Sequence, residues 1–385
     1  MARIGKTIAD LAALRTEWAN RVASHADGSA GDPGRLAEVT GFGSNPGALR
    51  MLTFVPEGLP EGAPLVVVLH GCTQNAAGYD SGAGWSTLAE RYGFALLLPE
   101  QQAANNPKTC FNWFQPSDAS RGRGEALSIR QMIERMVDDH RIDRTRIFVT
   151  GLSAGGAMTS VMLACYPEVF AGGAILAGLP YGAASTVPEA FESMFQGKPR
   201  SPAEWGGLVR SASRHQGPWP RVSVWHGSAD TTVKPMNAGE IVKQWIDVHG
   251  LSPRPTRQET VDGYPRRVWC DAEGNEAIEE YAITGMAHGT PLAPGDGEEA
   301  VGAAGPFLLD VGISSSDHIA RFWGLTAAPA RRRVESRPSA RADAVYSPNF
   351  TLQDREAPRS TPQPRRLSGV EEVIAKALKA AGLMK

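Results

Sequence analysis

The chain has 385 residues and a formal net charge of -2, enough length to bury a full core as one large domain or two average ones. The near-neutral balance gives no electrostatic footprint for a nucleic-acid partner, and no apolar run approaches the roughly 20 residues that a membrane-spanning helix needs. Four cysteines without a Cys-x-x-Cys pair are too few for a disulfide scaffold and badly spaced for zinc, so no metal is expected.

Residues 1–45 form a front segment in which Ile8, Leu11, Leu14 and Trp18 recur at helical spacing, so an amphipathic helix is predicted there. Its early positive charge is followed by Asp10, Arg15 and Glu17 rather than by a continuous apolar core, and no signal peptide is read. Location therefore stays open, with a cytoplasmic site possible. From about residue 46 to residue 325 strands and helices alternate. Residues 64–70 and 94–99 are continuous runs rich in Val and Leu, suited to strands buried on both faces. Further strands are expected at 146–150, 173–177 and 222–226. Ile129, Met132, Ile133, Met136 and Val137 trace one face of a helix between them. The alternation predicts an α/β fold with a doubly wound, mostly parallel sheet, whose ligand sites lie at the carboxyl ends of its strands. Residues 183–220 break the rhythm and read as a short insertion covering part of the site. Residues 326–367 are rich in Arg, Pro, Ser and Ala and read as a disordered linker. Their Arg331, Arg332, Arg333, Arg365 and Arg366 make a candidate contact for an anionic surface or partner. Residues 368–385 carry Val370, Val373, Ile374, Ala377 and Leu378 on one face of a terminal amphipathic helix.

The stretch 146–156 joins an apolar strand, a Gly-x-Ser-x-Gly turn and the start of a helix. That is the nucleophile elbow of α/β-hydrolases, in which the flanking glycines let a sharp turn lift the serine hydroxyl clear of the sheet. Ser153 is thus the candidate nucleophile for attack on a carbonyl carbon. A serine hydroxyl needs a base, and the base an orienting acid. In this fold they follow in the order Ser, acid, His. Asp230 stands just past the strand at 222–226, and His288 follows a last strand in a loop of small residues. Of the other histidines, His70 ends a strand ahead of the serine and His226 precedes the acid on its own strand. His25, His140, His215, His249 and His318 fall in irregular segments or at helix ends. The carbonyl oxygen that becomes an anion needs donors. The backbone N–H groups of Ala154 and Cys72 are expected to supply them, with Gly71 permitting close approach and His70 bracing the loop. Cys165 and Cys270 read as small buried hydrophobes. Cys72 and Cys110 fall in two loops expected at the mouth of the site and are the plausible pair. Trp85, Trp113, Tyr181, Trp225 and Met286 are candidate pocket walls for an acyl chain or a phenolic ring.

The segments Leu69-His-Gly-Cys-Thr-Gln-Asn75, Cys110-Phe-Asn-Trp-Phe114, Gly151-Leu-Ser-Ala-Gly-Gly156, Ala177-Gly-Leu-Pro-Tyr-Gly182 and Trp225-His-Gly-Ser-Ala-Asp-Thr-Thr232 together resemble the esterase/poly(3-hydroxybutyrate) depolymerase family. The resemblance covers roughly residues 45 to 325. It implies an α/β-hydrolase fold, a Ser153–Asp230–His288 triad, an oxyanion loop from His70 to Cys72 and a Cys72–Cys110 disulfide. It implies a serine carboxylic-ester hydrolase acting on short-chain polyhydroxyalkanoates through an acyl-enzyme, with no cofactor. Related members cleave feruloyl or acetyl esters of plant polysaccharides, which is the alternative. Members are commonly secreted and often add a substrate-binding domain, neither of which is read here. The reading from a different class is a non-catalytic binding protein on a hydrolase fold. A fluorophosphonate probe separates the two.

Overall fold

The computed structural model describes residues 35–295 and 301–326; the helix expected near the N-terminus, the Arg-rich segment and the terminal helix lie outside them. Ten strands make one sheet: β1 (Ala37–Val39), β2 (Arg50–Phe54), β3 (Leu65–Leu69), β4 (Ala95–Glu100), β5 (Ile147–Leu152), β6 (Gly172–Leu176), β7 (Arg221–Gly227), β8 (Arg257–Val261), β9 (Tyr264–Cys270) and β10 (Glu276–Ile283). Their order is β1-β2-β4-β3-β5-β6-β7-β10-β9-β8. The inner run from β4 to β10 is parallel and both flanks are antiparallel. This is the doubly wound, mostly parallel sheet that the strand–helix alternation predicts, in the α/β-hydrolase fold that the elbow motif and the family resemblance imply.

The central strands read as unbroken apolar runs because helices cover both faces. All five residues of β3 are buried. By strand alternation Leu65, Val67 and Leu69 enter one core, and Val66 and Val68 the other. The first core takes α3 (Gly124–His140) and α4 (Ala154–Cys165). Ile129, Met132, Ile133, Met136 and Val137 of α3 are buried in it, as their spacing predicts. The second core takes α1 (Ala76–Ala83), α2 (Trp85–Tyr92) and α8 (Ser315–Phe322).

The chain passes from β3 to β4 on one side, then crosses to β5 on the other side of β3. The loops after β3 and β5 therefore diverge from one point, with Leu69 paired to Gly151 at the strand ends. A crevice at such a reversal is where open α/β sheets bind ligands.

Two features differ from the sequence reading. The sheet begins at Ala37, ahead of the boundary placed at residue 45, because β1 adds to β2. The strand β8 and its hairpin pairing with β9 were not expected. Its polar alternation reflects an edge, which Arg257, Glu259, Arg266 and Glu276 close with a grid of ion pairs. Cys270, at the end of β9, is half-buried for the same reason. The segment after residue 183 forms α5 (Val187–Gln196) and α6 (Pro202–Ala212), with a Ser201–Glu204 capping box starting α6. α6 packs on α7 (Met236–His249), where Trp205 donates its indole N–H to buried Glu240. Among the described residues no helix is long and apolar enough to cross a membrane.

Candidate active site

Ser153 occupies the turn between β5 and α4 with φ 58° and ψ -116°, a conformation that an L-residue adopts only under restraint. The restraint is visible. Ser153 N–H donates to Leu176 O at 2.9 Å, and Ala157 N–H donates to Ser153 O at 2.8 Å. The glycines of the motif answer to close packing. A Cβ at Gly151 would lie 2.5 Å from the Gly155 carbonyl, and one at Gly155 would lie 2.2 Å from Leu69 O. Although Ser153 stands at the N-cap position of α4, its side chain does not cap the helix. The hydroxyl is left for other use, at the positive end of the helix dipole. The Ala154 N–H is one of the first helical donors that no helical carbonyl can satisfy.

Asp230 follows β7 and His288 follows β10, neighbouring parallel strands. Their loops are laced together: Ser228 N–H donates to Ile283 O, Ala229 N–H to Met286 O and Gly285 N–H to Ser228 Oγ. The result is a 2.7 Å hydrogen bond between His288 Nδ1 and Asp230 Oδ2. The other carboxylate oxygen, Oδ1, accepts from the N–H groups of Thr232 and Val233 at 2.8 and 2.9 Å. Burial by itself pushes the Asp230 carboxyl up. The His288 charge and hydrogen bonds from His226 and His288 outweigh that and hold it below the usual carboxylate range. Phe307 stands edge-on to the His288 ring, 5.9 Å between centroids. Just beyond, Thr290 Oγ1 meets the buried Tyr79 hydroxyl at 3.2 Å, tying the His288 loop to α1.

The loop after β3 is fixed by two side chains. Gln101 N–H donates to His70 Nε2 at 3.1 Å, so Nδ1 carries the proton and donates to Gly71 O at 2.8 Å. Burial keeps His70 neutral by lowering its pKa. Gln74 Oε1 accepts from Gly71 N–H at 2.8 Å, and Gln74 N–H also reaches Gly71 O. Gly71 C=O and Cys72 N–H share one trans peptide, so donors fixing the carbonyl also fix the opposite direction of the Cys72 N–H. His70 thus braces the loop, as its sequence position suggests. Sequence reading missed Gln74 and Gln101, whose role depends on pairings across the fold.

Comparison with known proteins follows from this arrangement. Residues 50–258 match the profile of the family described as Esterase PHB depolymerase. The poly(3-hydroxyalkanoate) depolymerase C of Paucimonas lemoignei is 50% identical over 291 residues, covering 75% of this chain and 70% of that protein. The feruloyl esterase B of Neurospora crassa is 33% identical, over 75% of this chain and 92% of that protein. The acetyl xylan esterase from Aspergillus awamori superposes with TM-score 0.64 at 28% identity, over 75% of this chain and 99% of that one. The chain belongs to the esterase/PHB depolymerase family. It is a carboxylic ester hydrolase.

This esterase carries a Cys72–Cys110 disulfide, with Cα atoms 4.3 Å apart. The bridge ties the loop after β3 to residues 110–114. That second segment is held by Glu125, which accepts from the Asn112 backbone and side chain at 2.8 Å and from Gln101 Nε2. Burial pushes the Glu125 carboxyl up to about 8. The disulfide spans 38 residues, and loop entropy alone gives about 4 kcal/mol of stabilisation for such a closure. Reduction is expected to lower the urea unfolding free energy by about 2–4 kcal/mol. Paired urea titrations with and without dithiothreitol check this; coincident curves would refute it.

Gly227, in the stretch from His226 to Asp230, is a second point of close approach. A Cβ there would lie 2.3 Å from Met286 O. Gly227→Ala is expected to force the Asp230 and His288 loops apart and to cost about 1–3 kcal/mol. Activity should fall more than stability, measured by kcat beside the thermal midpoint.

The candidate pocket residues divide. Trp85 is 1% exposed and stacked on Trp323, so it is core rather than wall. Trp225, also 1% exposed, pairs in register with Tyr281 and stacks on it at 3.7 Å. Met286 is 3% exposed in the same core. All three were placed at the site because they border its loops in sequence, but their side chains leave on the sheet's other side or inward. Trp113 lies edge-on to Phe114 in the segment that the disulfide ties to the loop after β3. Tyr181 is half-buried, its N–H on Gln244 and its hydroxyl 3.9 Å from Cys165 Sγ. These two stay as candidates.

Proposed function

We propose that this esterase hydrolyses short-chain polyhydroxyalkanoate esters, polymer or oligomer, through an acyl-enzyme on Ser153. The observation that carries the mechanism is the His288–Asp230 hydrogen bond at the carboxyl edge that also bears the Ser153 elbow. His288 takes the Ser153 proton through Nε2 as Oγ attacks the ester carbonyl, then gives it to the leaving alcohol. Asp230 keeps the Nδ1–H tautomer and stabilises the imidazolium. The N–H groups of Cys72 and Ala154 receive the oxyanion. Water then attacks the acyl-enzyme, with His288 again as base.

The substrate class rests on the 50% identity to a poly(3-hydroxyalkanoate) depolymerase. Acetyl or feruloyl esters are the second reading, favoured by the acetylxylan and feruloyl esterases at lower identity. On charge alone, the arginines at 331–333 and 365–366 suit an anionic surface or partner. The test is a side-by-side measurement of kcat/KM on hydroxybutyrate oligomers, amorphous polymer, acetylated xylan and methyl ferulate. Highest values on the first two support the proposal; a preference for xylan acetate or ferulate overturns it. Stoichiometric fluorophosphonate labelling of Ser153 excludes a binding-only role.

A further inference from the structure

Asp230 has a second histidine on it that the triad does not use. His226 is the last side chain of β7 on the face shared with Val222 and Val224, and it is buried. Its Nε2 lies 2.8 Å from Val233 O and 3.3 Å from Asp230 Oδ2, the oxygen that also takes His288 Nδ1. A carbonyl oxygen accepts only, so Nε2 carries the proton, donates it to Val233 O and sets its partial positive charge 3.3 Å from the carboxylate oxygen. The proton-free Nδ1 is then buried with no hydrogen-bond partner. Such an orphan destabilises the fold, and an apolar side chain of similar shape would avoid it. What a hydrocarbon could not supply is the N–H at the carboxylate.

We infer that His226 is a positioning residue for ester hydrolysis, which holds Asp230 Oδ2 toward His288 and sets how much negative charge His288 meets. The inference rests on the triad reading above. The argument is geometric. Thr232 and Val233 N–H groups hold Oδ1, and His226 Nε2 stands 3.3 Å from Oδ2 on the strand side, so the carboxylate is favoured in the orientation that faces His288. The ring also closes the loop itself, bridging the end of β7 to Val233. The titratable groups that reach His226 are Asp230 and, through it, His288. The N–H facing Oδ2 draws charge from it. Removing that N–H leaves a stronger anion facing His288 and raises the basicity of the imidazole.

The test compares His226→Leu, which removes the donor, with His226→Gln, whose amide N–H can reach the same position. In His226→Leu, kcat should fall about 10–100-fold, the range spanned by a hydrogen bond to a charged group, with KM little changed. The acid limb of its kcat/KM profile should move up by about half a pH unit. His226→Gln should restore most of kcat and return the limb. If His226→Leu fails to fold, His226→Asn, too short to reach Oδ2, serves in its place. An unmoved acid limb, or a loss of kcat that His226→Gln does not repair, overturns the inference and leaves a structural residue. Asp230→Asn and Ser153→Ala run alongside: if they stay active the triad reading fails, whereas if they are inactive and His226→Leu matches the parent, only this inference fails.

Discussion

Ser153→Ala is expected to lower kcat for p-nitrophenyl butyrate about 10⁶-fold, the scale of loss when a triad serine is removed, while leaving the thermal midpoint nearly unchanged. The two halves of that expectation have separate grounds. The chemical half follows from the covalent step: without Oγ there is no acyl-enzyme, and only the oxyanion donors and substrate binding remain to speed direct attack by water. The structural half follows from the elbow. Ser153 sits where a serine would normally cap a helix, yet its hydroxyl does not cap this one. Its N–H and C=O carry the turn's hydrogen bonds, and alanine keeps both. Alanine has the same backbone restriction at φ 58°, so the strain is neither relieved nor increased. Retention of more than about 1% of kcat, far above the residual rate that oxyanion donors alone sustain, would remove Ser153 from the role.

The elbow was legible because local physics writes it into adjacent residues: an apolar strand, two glycines where a Cβ has no room, and a helix start. Asp230 was legible because it follows the mostly apolar β7, and His288 because it follows a last strand in a loop of small residues, although β10 itself carries Glu276, Glu279 and Glu280. What stayed hidden depends on which face a side chain leaves from. Trp85, Trp225 and Met286 border the right loops, yet their side chains enter the second core. For Trp225 one residue of strand register decides between pocket and core; for Trp85, which opens α2, and Met286, in the loop after β10, the helix face and the path of the loop decide, and no sequence count supplies these. The flanking β1 and β8 were missed for a related reason. Edge strands are short and polar on purpose, so they lack the apolar signature that marks β3 and β4. His226 was visible as a histidine four residues before the acid, but its meaning needed Val233 to fold back over it.

Asp230→Asn is expected to lower kcat about 10⁴-fold, and the structure specifies why such a small change is so damaging. Oδ1 of Asp230 faces two backbone N–H donors, from Thr232 and Val233. An asparagine must put its carbonyl oxygen there, because its NH₂ group cannot face donors. The NH₂ then takes the place of Oδ2, opposite His288 Nδ1. Being a donor only, it forces Nδ1 to accept and moves the imidazole proton to Nε2, the nitrogen that must receive the Ser153 proton. The base is switched to the wrong tautomer, and the NH₂ also meets the His226 Nε2–H where Oδ2 stood. The substitution also removes an acid-sensitive stabilisation. The Asp230 carboxyl is held below its ordinary value by His288 and His226, so its contribution is present above the usual carboxylate range and lost as pH falls through the lower folded value. The parent should therefore lose more stability than Asp230→Asn as pH drops below about 4. Steady-state kinetics at neutral pH and urea titrations down the pH scale check both halves. A variant with kcat within tenfold of the parent would show that His288 does not depend on this carboxylate for its tautomer.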